Sequence, residues 1–189
     1  MLAAIEPNAT RPGALMVSKN ICSELNKLHI SYAFSERNRE YCASLGGVIM
    51  EDELLYASCD LVIAVGGDGS IIRSAKYAAV HDKPVLGINA GKVAFMAGLE
   101  ANELGLLRSL MDGNYAVDER MMLRADIIKD DTVLYSAHCL NDAVFARGAE
   151  IYLTEINLSC DGVLVNRYRC DGVILATPTG STAYSFAAG

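Results

Sequence analysis

Gly66-Gly67-Asp68-Gly69-Ser70 places three glycines, a carboxylate and a hydroxyl in one pentapeptide, directly after the apolar run 61–65. Glycine has no Cβ to hold a ligand off the backbone, so the N–H groups of such a turn can converge on a phosphate. Asp68 is the unusual member. A carboxylate among phosphates repels them unless a cation or a reacting proton requires it, and a positioned carboxylate can take the proton of a hydroxyl nucleophile. A second loaded stretch runs from Asp171 through the apolar residues 173–176 into Thr177-Pro178-Thr179-Gly180-Ser181-Thr182. There Thr179 or Ser181 is placed to cap a helix that includes Ala183, Phe186 and Ala187, leaving free N–H groups as a docking point. Asn141-Asp142 stands between two apolar segments, as a turn or as a ligand site. Taken alone, a capped helix and a turn account for both stretches.

The surrounding pattern says what must hold these residues. Five apolar residues at 61–65, three of them β-branched, read as a strand buried on both faces, as in parallel sheets. Ile71, Ile72, Ala75, Ala78 and Ala79 follow at helical spacing, which predicts a helix over residues 70–81. A strand feeding a helix through a glycine-rich turn is where open α/β sheets hold ligands. Upstream, residues 2–5 and 30–34 read as strands around a helix over 13–29 with apolar positions 14, 17, 21, 25 and 28. Residues 35–50 give no clear pattern beyond a turn at Gly46-Gly47, and Leu54, Leu55 and Ala57 suggest one helical turn. Downstream, Pro84 opens a buried strand over 85–88, and residues 102–111 form a helix with Leu104, Leu107 and Leu110 inward and Gly113 as its stop.

Beyond Arg120 the alternation ends. Segments 123–128, 132–139, 143–146, 151–159, 163–168 and 173–176 read as successive strands, with turns at 129–131, 148–149 and 160–162. Along 151–159 neither side of the strand is wholly apolar, so its buried face stays open. Alternating strands and helices followed by a run of strands predict an α/β fold in two parts. Residues 1–118 form a Rossmann-like, open parallel-sheet domain carrying the GGDG turn, and residues 119–189 a β-rich domain.

Composition limits the function. Half the chain, 52%, is hydrophobic, yet no apolar run approaches the roughly 20 residues of a membrane helix, and its first residues do not read as the basic and apolar regions of a secretory signal. A net charge of −7 without a basic cluster argues against a nucleic-acid partner. Six cysteines at 22, 42, 59, 139, 160 and 170 show no metal-binding spacing and read as reduced thiols of a cytoplasmic protein; no metal ligands are assigned.

Three motifs occur in order: GGDGS at 66–70, LNDAV at 140–144 and DGVILATPTGSTAYS at 171–185. Together with GINAG at 87–91 and ERMML at 119–123, they resemble the NAD kinase family across nearly the whole chain. The GGDG turn is shared with lipid and diacylglycerol kinases; the TPTGSTAY run after it is the specific part. The resemblance implies transfer of the γ-phosphoryl group of ATP, with Mg²⁺, to the 2′-hydroxyl of the adenosine ribose of NAD, giving NADP. It implies an α/β N-terminal domain and a β-sandwich-type C-terminal domain, and a cytoplasmic homo-oligomer. By motif, Asp68 is the general base with Gly69 beside it, and Arg73 a phosphate contact. Asn141 and Asp142 bind the ribose and adenine region, and Arg169, Asp171, Thr182, Ala183, Tyr184 and Ala187 complete the dinucleotide pocket, partly from a neighbouring subunit.

Departures from the family pattern are few. Ser70 replaces the usual threonine, Lys92-Val93-Ala94-Phe95 replaces a Leu-Gly-Phe core, and Ala187 stands for a common serine. The family continues past Gly189, so the chain is expected to be truncated, its last strands left with open edges. Two other readings stay open. One is a lipid kinase sharing the turn, against which the 171–185 run and the lack of a membrane-binding patch both speak. The other is a nucleotide-binding module without catalysis.

Overall fold

The computed structural model describes residues 1–92, 94–148 and 154–189. The chain divides into two compact units, Met1–Asp118 and Glu119–Gly189. The first runs β1 (Leu2–Pro7), α1 (Ala14–Lys27), β2 (Ser31–Ser35), α2 (Arg39–Cys42), β3 (Val48–Met50), α3 (Asp52–Ser58), β4 (Leu61–Gly66), α4 (Asp68–Val80), β5 (Val85–Asn89), β6 (Leu99–Glu100) and α5 (Ser109–Asp112). Its six strands form one sheet in the order β3-β2-β1-β4-β5-β6, every pair parallel. That order reverses between β1 and β4, the switch point of a doubly wound sheet.

The apolar run of β4 behaves as its composition requires. All six of its residues are buried, and the period of two sends them alternately to opposite faces. Ile63 and Val65 join Ile5, Ile21, Leu25 and Phe34 on the α1 side; Val62 joins Ala4, Ala33, Leu55, Tyr56 and Ala78 on the α3–α4 side. Branched side chains fill the first layer, and alanines on the second let the helices approach closely. Burial of each large apolar side chain contributes about 1.5–3 kcal/mol.

Three expectations change in detail. α4 starts at Asp68, two residues before the expected start, so the carboxylate sits in the first helical turn, where the helix dipole favours it. The segment 35–50 resolves into a 3₁₀ turn at Glu36–Asn38, α2 and β3. The helix expected over 102–111 is mostly 3₁₀, Leu104–Arg108, followed by the single turn of α5 and ended by Gly113 at φ 64°. Its inward leucines, 104, 107 and 110, stand three apart, which fits the 3₁₀ repeat and brings Leu104 and Leu107 onto the core, while Leu106 is exposed.

A polar cluster covers the C-terminal ends of β1 and β2. The buried carboxylate of Glu6 accepts from Tyr56 Oη at 3.0 Å and Asn38 Nδ2 at 3.0 Å, and Arg37 lies 3.5 Å away. Burial pushes the Glu6 carboxyl above its usual range, against the pull of Arg37. All six cysteines are free, four of them buried, and burial pushes Cys22 up to about 11 and Cys42 to about 12.

The second unit is strand-rich and antiparallel. β7 (Leu123–Lys129) pairs with β8 (Thr132–Cys139), β9 (Asp142–Ala146) with β12 (Gly172–Ala176), and β10 (Thr154–Cys160) with β11 (Val163–Cys170). The hairpin turns have both central residues left-handed, Asp130 and Asp131 at φ 48° and 59°, Asp161 and Gly162 at 50° and 80°, as the right-handed twist of the flanking strands requires. Of the strand expected over 151–159, residues 151–153 lie outside the described residues, as do Ala149 and Val93. On the described part the open question of the buried face is answered: Thr154, Ile156 and Leu158 are half-buried, Glu155 and Asn157 exposed. The chain ends in a 3₁₀ turn, Gly180–Thr182, and α6 (Tyr184–Ala187). No helix among the described residues is long and apolar enough to cross a membrane.

Candidate functional site

In the first unit, the C-terminal ends of β1 and β4 open onto a cleft of about 160 Å³ lined by Asn8, Arg11, Gly67, Gly69, Ser70 and Arg73. The sheet reverses between these two strands, and ligands of open α/β sheets bind at that crevice. Asn8 ties its walls together: its N–H donates to Val65 O at 2.9 Å and its Nδ2 to Ser70 Oγ at 2.9 Å. A Cβ on Gly66 would overlap that same Ser70 hydroxyl. Retaining a hydroxyl at position 70 therefore has a structural use, because the Asn8–Ser70 bond closes the back of the cleft.

Of the expected residues, Gly69 and Arg73 line the cleft. Asp68 adjoins it with its carboxylate turned to the loop after β5, where Oδ1 accepts from Met96 N at 2.8 Å and Oδ2 from Phe95 N at 3.1 Å. Each oxygen keeps a further lone pair for a proton or a donor. Asn8 and Arg11 were absent from the expected set, because only the strand order brings the end of β1 beside the GGDG turn.

Gly69 differs from Gly66 and Gly67 in that, apart from its chain neighbours and its own helix backbone, no atom lies within 4 Å of where a Cβ would stand. Glycine within a helix costs roughly 0.5–1 kcal/mol relative to alanine. Gly69→Ala is therefore expected to leave the thermal midpoint unchanged or raise it. A ligand seated against that open position would be bound more weakly. Differential scanning calorimetry and ligand titration on the same variant read the two effects separately.

In the second unit, Asn141 and Asp142 sit at one end of the β9–β12 ladder, where Asp142 pairs with Ala176. Thr177 fastens this end. Its N–H donates to Asn141 O at 2.8 Å, and its Oγ1 donates to Leu140 O at 2.6 Å and accepts from Gly180 N at 3.0 Å. Neither Thr179 nor Ser181 caps the last helix, a correction: α6 follows Ala183 without a side-chain cap, and it is Thr177 Oγ1 that takes the first N–H of the preceding 3₁₀ turn. Ser181 Oγ donates back to Pro178 O at 2.8 Å, and Thr179 Oγ1 accepts from Arg120 at 3.2 Å. The side-chain Oδ1 of Asn141 is buried and has no hydrogen-bond partner. Thr182, Ala183, Tyr184 and Ala187 follow directly on this junction, in the last 3₁₀ turn and α6.

Asp171 and Arg169 lie elsewhere in the unit. The ladder runs from Asp142↔Ala176 to Ala146↔Gly172, and Asp171 lies one step beyond it, beside Arg147, so it is separated from Asn141 by about 20 Å of strand. Asp171 Oδ1 pairs with Arg147 Nε at 2.8 Å, and Arg169 Nε lies 3.7 Å from Glu155 on β10. Both pairs are largely exposed and add little stability.

Strand order and cleft define the first unit as an open, doubly wound α/β domain with its ligand crevice at the switch point. Comparison with known proteins specifies the family. The family model for the ATP-NAD kinase N-terminal domain matches residues 49–115, and that for the ATP-NAD kinase C-terminal domain residues 140–189, together more than half the chain. The NAD kinase of Symbiobacterium thermophilum is 42% identical over 135 residues, 71% of this chain and 48% of that protein. That of Rhodopirellula baltica is 38% identical over 170 residues, 87% of this chain and 54% of that protein. Among solved structures, yeast NADH kinase complexed with NADH superposes with a TM-score of 0.91 at 23% identity, covering 100% of this chain and 61% of the other. An NAD kinase from Archaeoglobus fulgidus in complex with ATP gives 0.66 at 26% identity, covering 100% and 66%. The chain belongs to the NAD kinase family. It spans about half the length of the curated relatives it matches.

Proposed function

We propose that the protein is an NAD kinase, transferring the γ-phosphoryl group of ATP to the 2′-hydroxyl of the adenosine ribose of NAD. The observation that carries this reading is a carboxylate, Asp68, beside a cleft whose charged lining residues, Arg11 and Arg73, are both cations. Cations and glycine suit a phosphate chain, and the adjoining carboxylate suits a proton that must leave a ribose hydroxyl as it attacks. In this reading Asp68 accepts the proton on a carboxylate oxygen, Gly69 leaves room beside it, and Arg73 contacts phosphate. Mg²⁺ arrives with ATP as part of that substrate and offsets phosphate charge. Among the described residues no group of three or more His, Cys, Asp or Glu side chains is arranged to hold a metal ion.

Asn141 and Asp142 hold the ribose and adenine region of NAD, with Thr182, Ala183, Tyr184 and Ala187 beside them. The unpartnered, buried Oδ1 of Asn141 supports this assignment, since a buried acceptor without a donor costs about 1–3 kcal/mol unless a ligand supplies one. Arg169 and Asp171 complete the pocket of a neighbouring subunit in a homo-oligomer. Their position at the far end of the β9–β12 ladder supports that division. A cytoplasmic setting accords with six free cysteines, since thiols persist under reducing conditions.

A coupled assay tests the function: ATP, Mg²⁺ and NAD are supplied, and NADP is read with an NADP-specific dehydrogenase. No NADP, with a lipid phosphorylated instead, would overturn it. For the pocket, Asn141→Ala is expected to raise the KM for NAD about tenfold while leaving the thermal midpoint unchanged or higher, because the variant removes an orphan acceptor. An equal rise in the KM for ATP would place Asn141 outside the NAD pocket.

A further inference from the structure

Arg11 lies outside every motif of the chain, yet it is the most elaborately held cation of the cleft. The turn that carries it is fixed at several points. Asn8 Oδ1 accepts from Thr10 N at 3.1 Å and Thr10 Oγ1 at 2.8 Å, and Arg11 N donates to Asn8 O at 3.0 Å. With the Asn8 bonds to Val65 and Ser70, the end of β1 is locked to β4 and α4. The guanidinium then lies in a slot between two glycines. A Cβ on Gly67 would stand 2.9 Å from Nη2, and one on Gly91 2.6 Å from Nη1 and 3.2 Å from Cζ.

The far wall of this slot is built as firmly as the near one. Gly91 N donates to Asn89 Oδ1 at 2.8 Å, while Asn89 Nδ2 donates to the Glu100 carboxylate at 3.0 and 3.2 Å. Asn89 is only 1% exposed, and Ala90 N reaches Gly66 O at 3.1 Å. The Asn of the GINAG motif thus shapes the backbone against which Arg11 rests.

Arg37 and Arg39 are spent on carboxylates, Arg37 on Asp52 at 2.6 Å and Arg39 on Glu36 at 2.5 Å. Arg11 makes no ion pair among the described residues. Its planar fork of five N–H donors, given room by the missing side chains of Gly67 and Gly91 and left without a counter-ion, matches a bidentate oxyanion.

We propose that Arg11 holds a phosphate of the donor's phosphoanhydride chain, with Gly67 and Gly91 forming the slot that aims its guanidinium. The inference rests on the kinase reading and assigns the donor side of that reaction to a residue of β1's exit turn. The shared ligand chemistry is a chain of linked phosphates, supplied by a nucleoside triphosphate or by inorganic polyphosphate.

The test titrates inorganic tripolyphosphate and ATP calorimetrically into the wild-type protein and the variants Arg11→Ala, Arg11→Lys and Gly91→Ala, with KM values for ATP and NAD on each. Arg11→Ala is expected to weaken tripolyphosphate and ATP alike by about 10- to 100-fold, with the KM for NAD within about twofold of wild type, as expected for a phosphate contact. Arg11→Lys restores part of the loss, because charge without the fork binds less well. Gly91→Ala reproduces the loss with the charge intact, since its Cβ displaces the guanidinium. Unchanged tripolyphosphate binding in Arg11→Ala overturns the proposal, as does an equal loss of NAD and ATP affinity. A loss confined to ATP also overturns it, by placing Arg11 on the nucleoside. Turnover with tripolyphosphate in place of ATP separates the two donor sources. A wild-type protein that binds tripolyphosphate at this slot but makes NADP with neither donor overturns the kinase reading, while NADP formation with a donor KM unaltered in Arg11→Ala overturns the slot alone.

Discussion

Asp68→Asn is expected to lower turnover with NAD and ATP by about 10²- to 10⁴-fold, while the KM for NAD changes far less. The substitution keeps size and shape and removes the basic oxygen. It also disturbs a second function of the side chain. The carboxylate accepts from both Phe95 N and Met96 N, whereas an amide offers one oxygen and turns its NH₂ toward the other N–H. One loop donor therefore loses its acceptor, and the segment after β5 loosens. The two consequences separate experimentally. Loss of a base abolishes the acid limb of the kcat/KM pH profile; loosening of the loop shows as faster amide exchange at residues 95–96 and leaves the limb in place. A reduced turnover with the acid limb intact would make Asp68 a positioning residue. Unchanged turnover would remove it from the mechanism.

That double role illustrates what the sequence conveyed. The strand, turn and helix around Asp68 were legible because they are local: five apolar residues, a glycine-rich break, then a helical repeat. The amide clamp on Asp68 was not, since its donors lie 27 and 28 residues downstream and nothing local announces them. Arg11 was hidden for a similar reason. Period and composition identify β1 and β4 as buried strands, but not that they are neighbours at the reversal of the sheet, and only that adjacency makes the exit turn of β1 a wall of the cleft. In the second unit the strands could be read from the apolar runs and the turn residues between them, Asp130-Asp131 and Asp161-Gly162. The choice among hydroxyls in Thr177-Pro178-Thr179-Gly180-Ser181-Thr182 could not, because every one of them is able to cap. Packing chooses Thr177, the buried one, whose hydroxyl must satisfy Leu140 O and Gly180 N together. The inward leucines at 104, 107 and 110 stand three apart, a spacing that an α-helix and the tighter 3₁₀ turn share, so the sequence did not separate the two.

Gly180→Ala is expected to be the most damaging single methyl group in the second unit. A Cβ at Gly180 would overlap the backbone carbonyl of Asn141 and stand 2.6 Å from its Cα. Neither side can yield cheaply. Asn141 O is held by Thr177 N at 2.8 Å, Leu140 O by Thr177 Oγ1 at 2.6 Å, and Gly180 N by the same hydroxyl at 3.0 Å, so relief requires breaking at least one of these bonds. Overpacking of this kind costs about 1–3 kcal/mol or more, and in a unit of this size each kcal/mol lowers the thermal midpoint by about 4–8 °C. The displaced backbone is that of Asn141 itself, so the KM for NAD should rise well beyond that for ATP. Gly105→Ala is the matching control, with no atom within 4 Å of the added Cβ, and is expected to be neutral or mildly stabilising. If Gly180→Ala melts and binds NAD as Gly105→Ala does, the close approach of residues 141 and 180 does not shape the NAD pocket, and the role assigned to Asn141 falls with it.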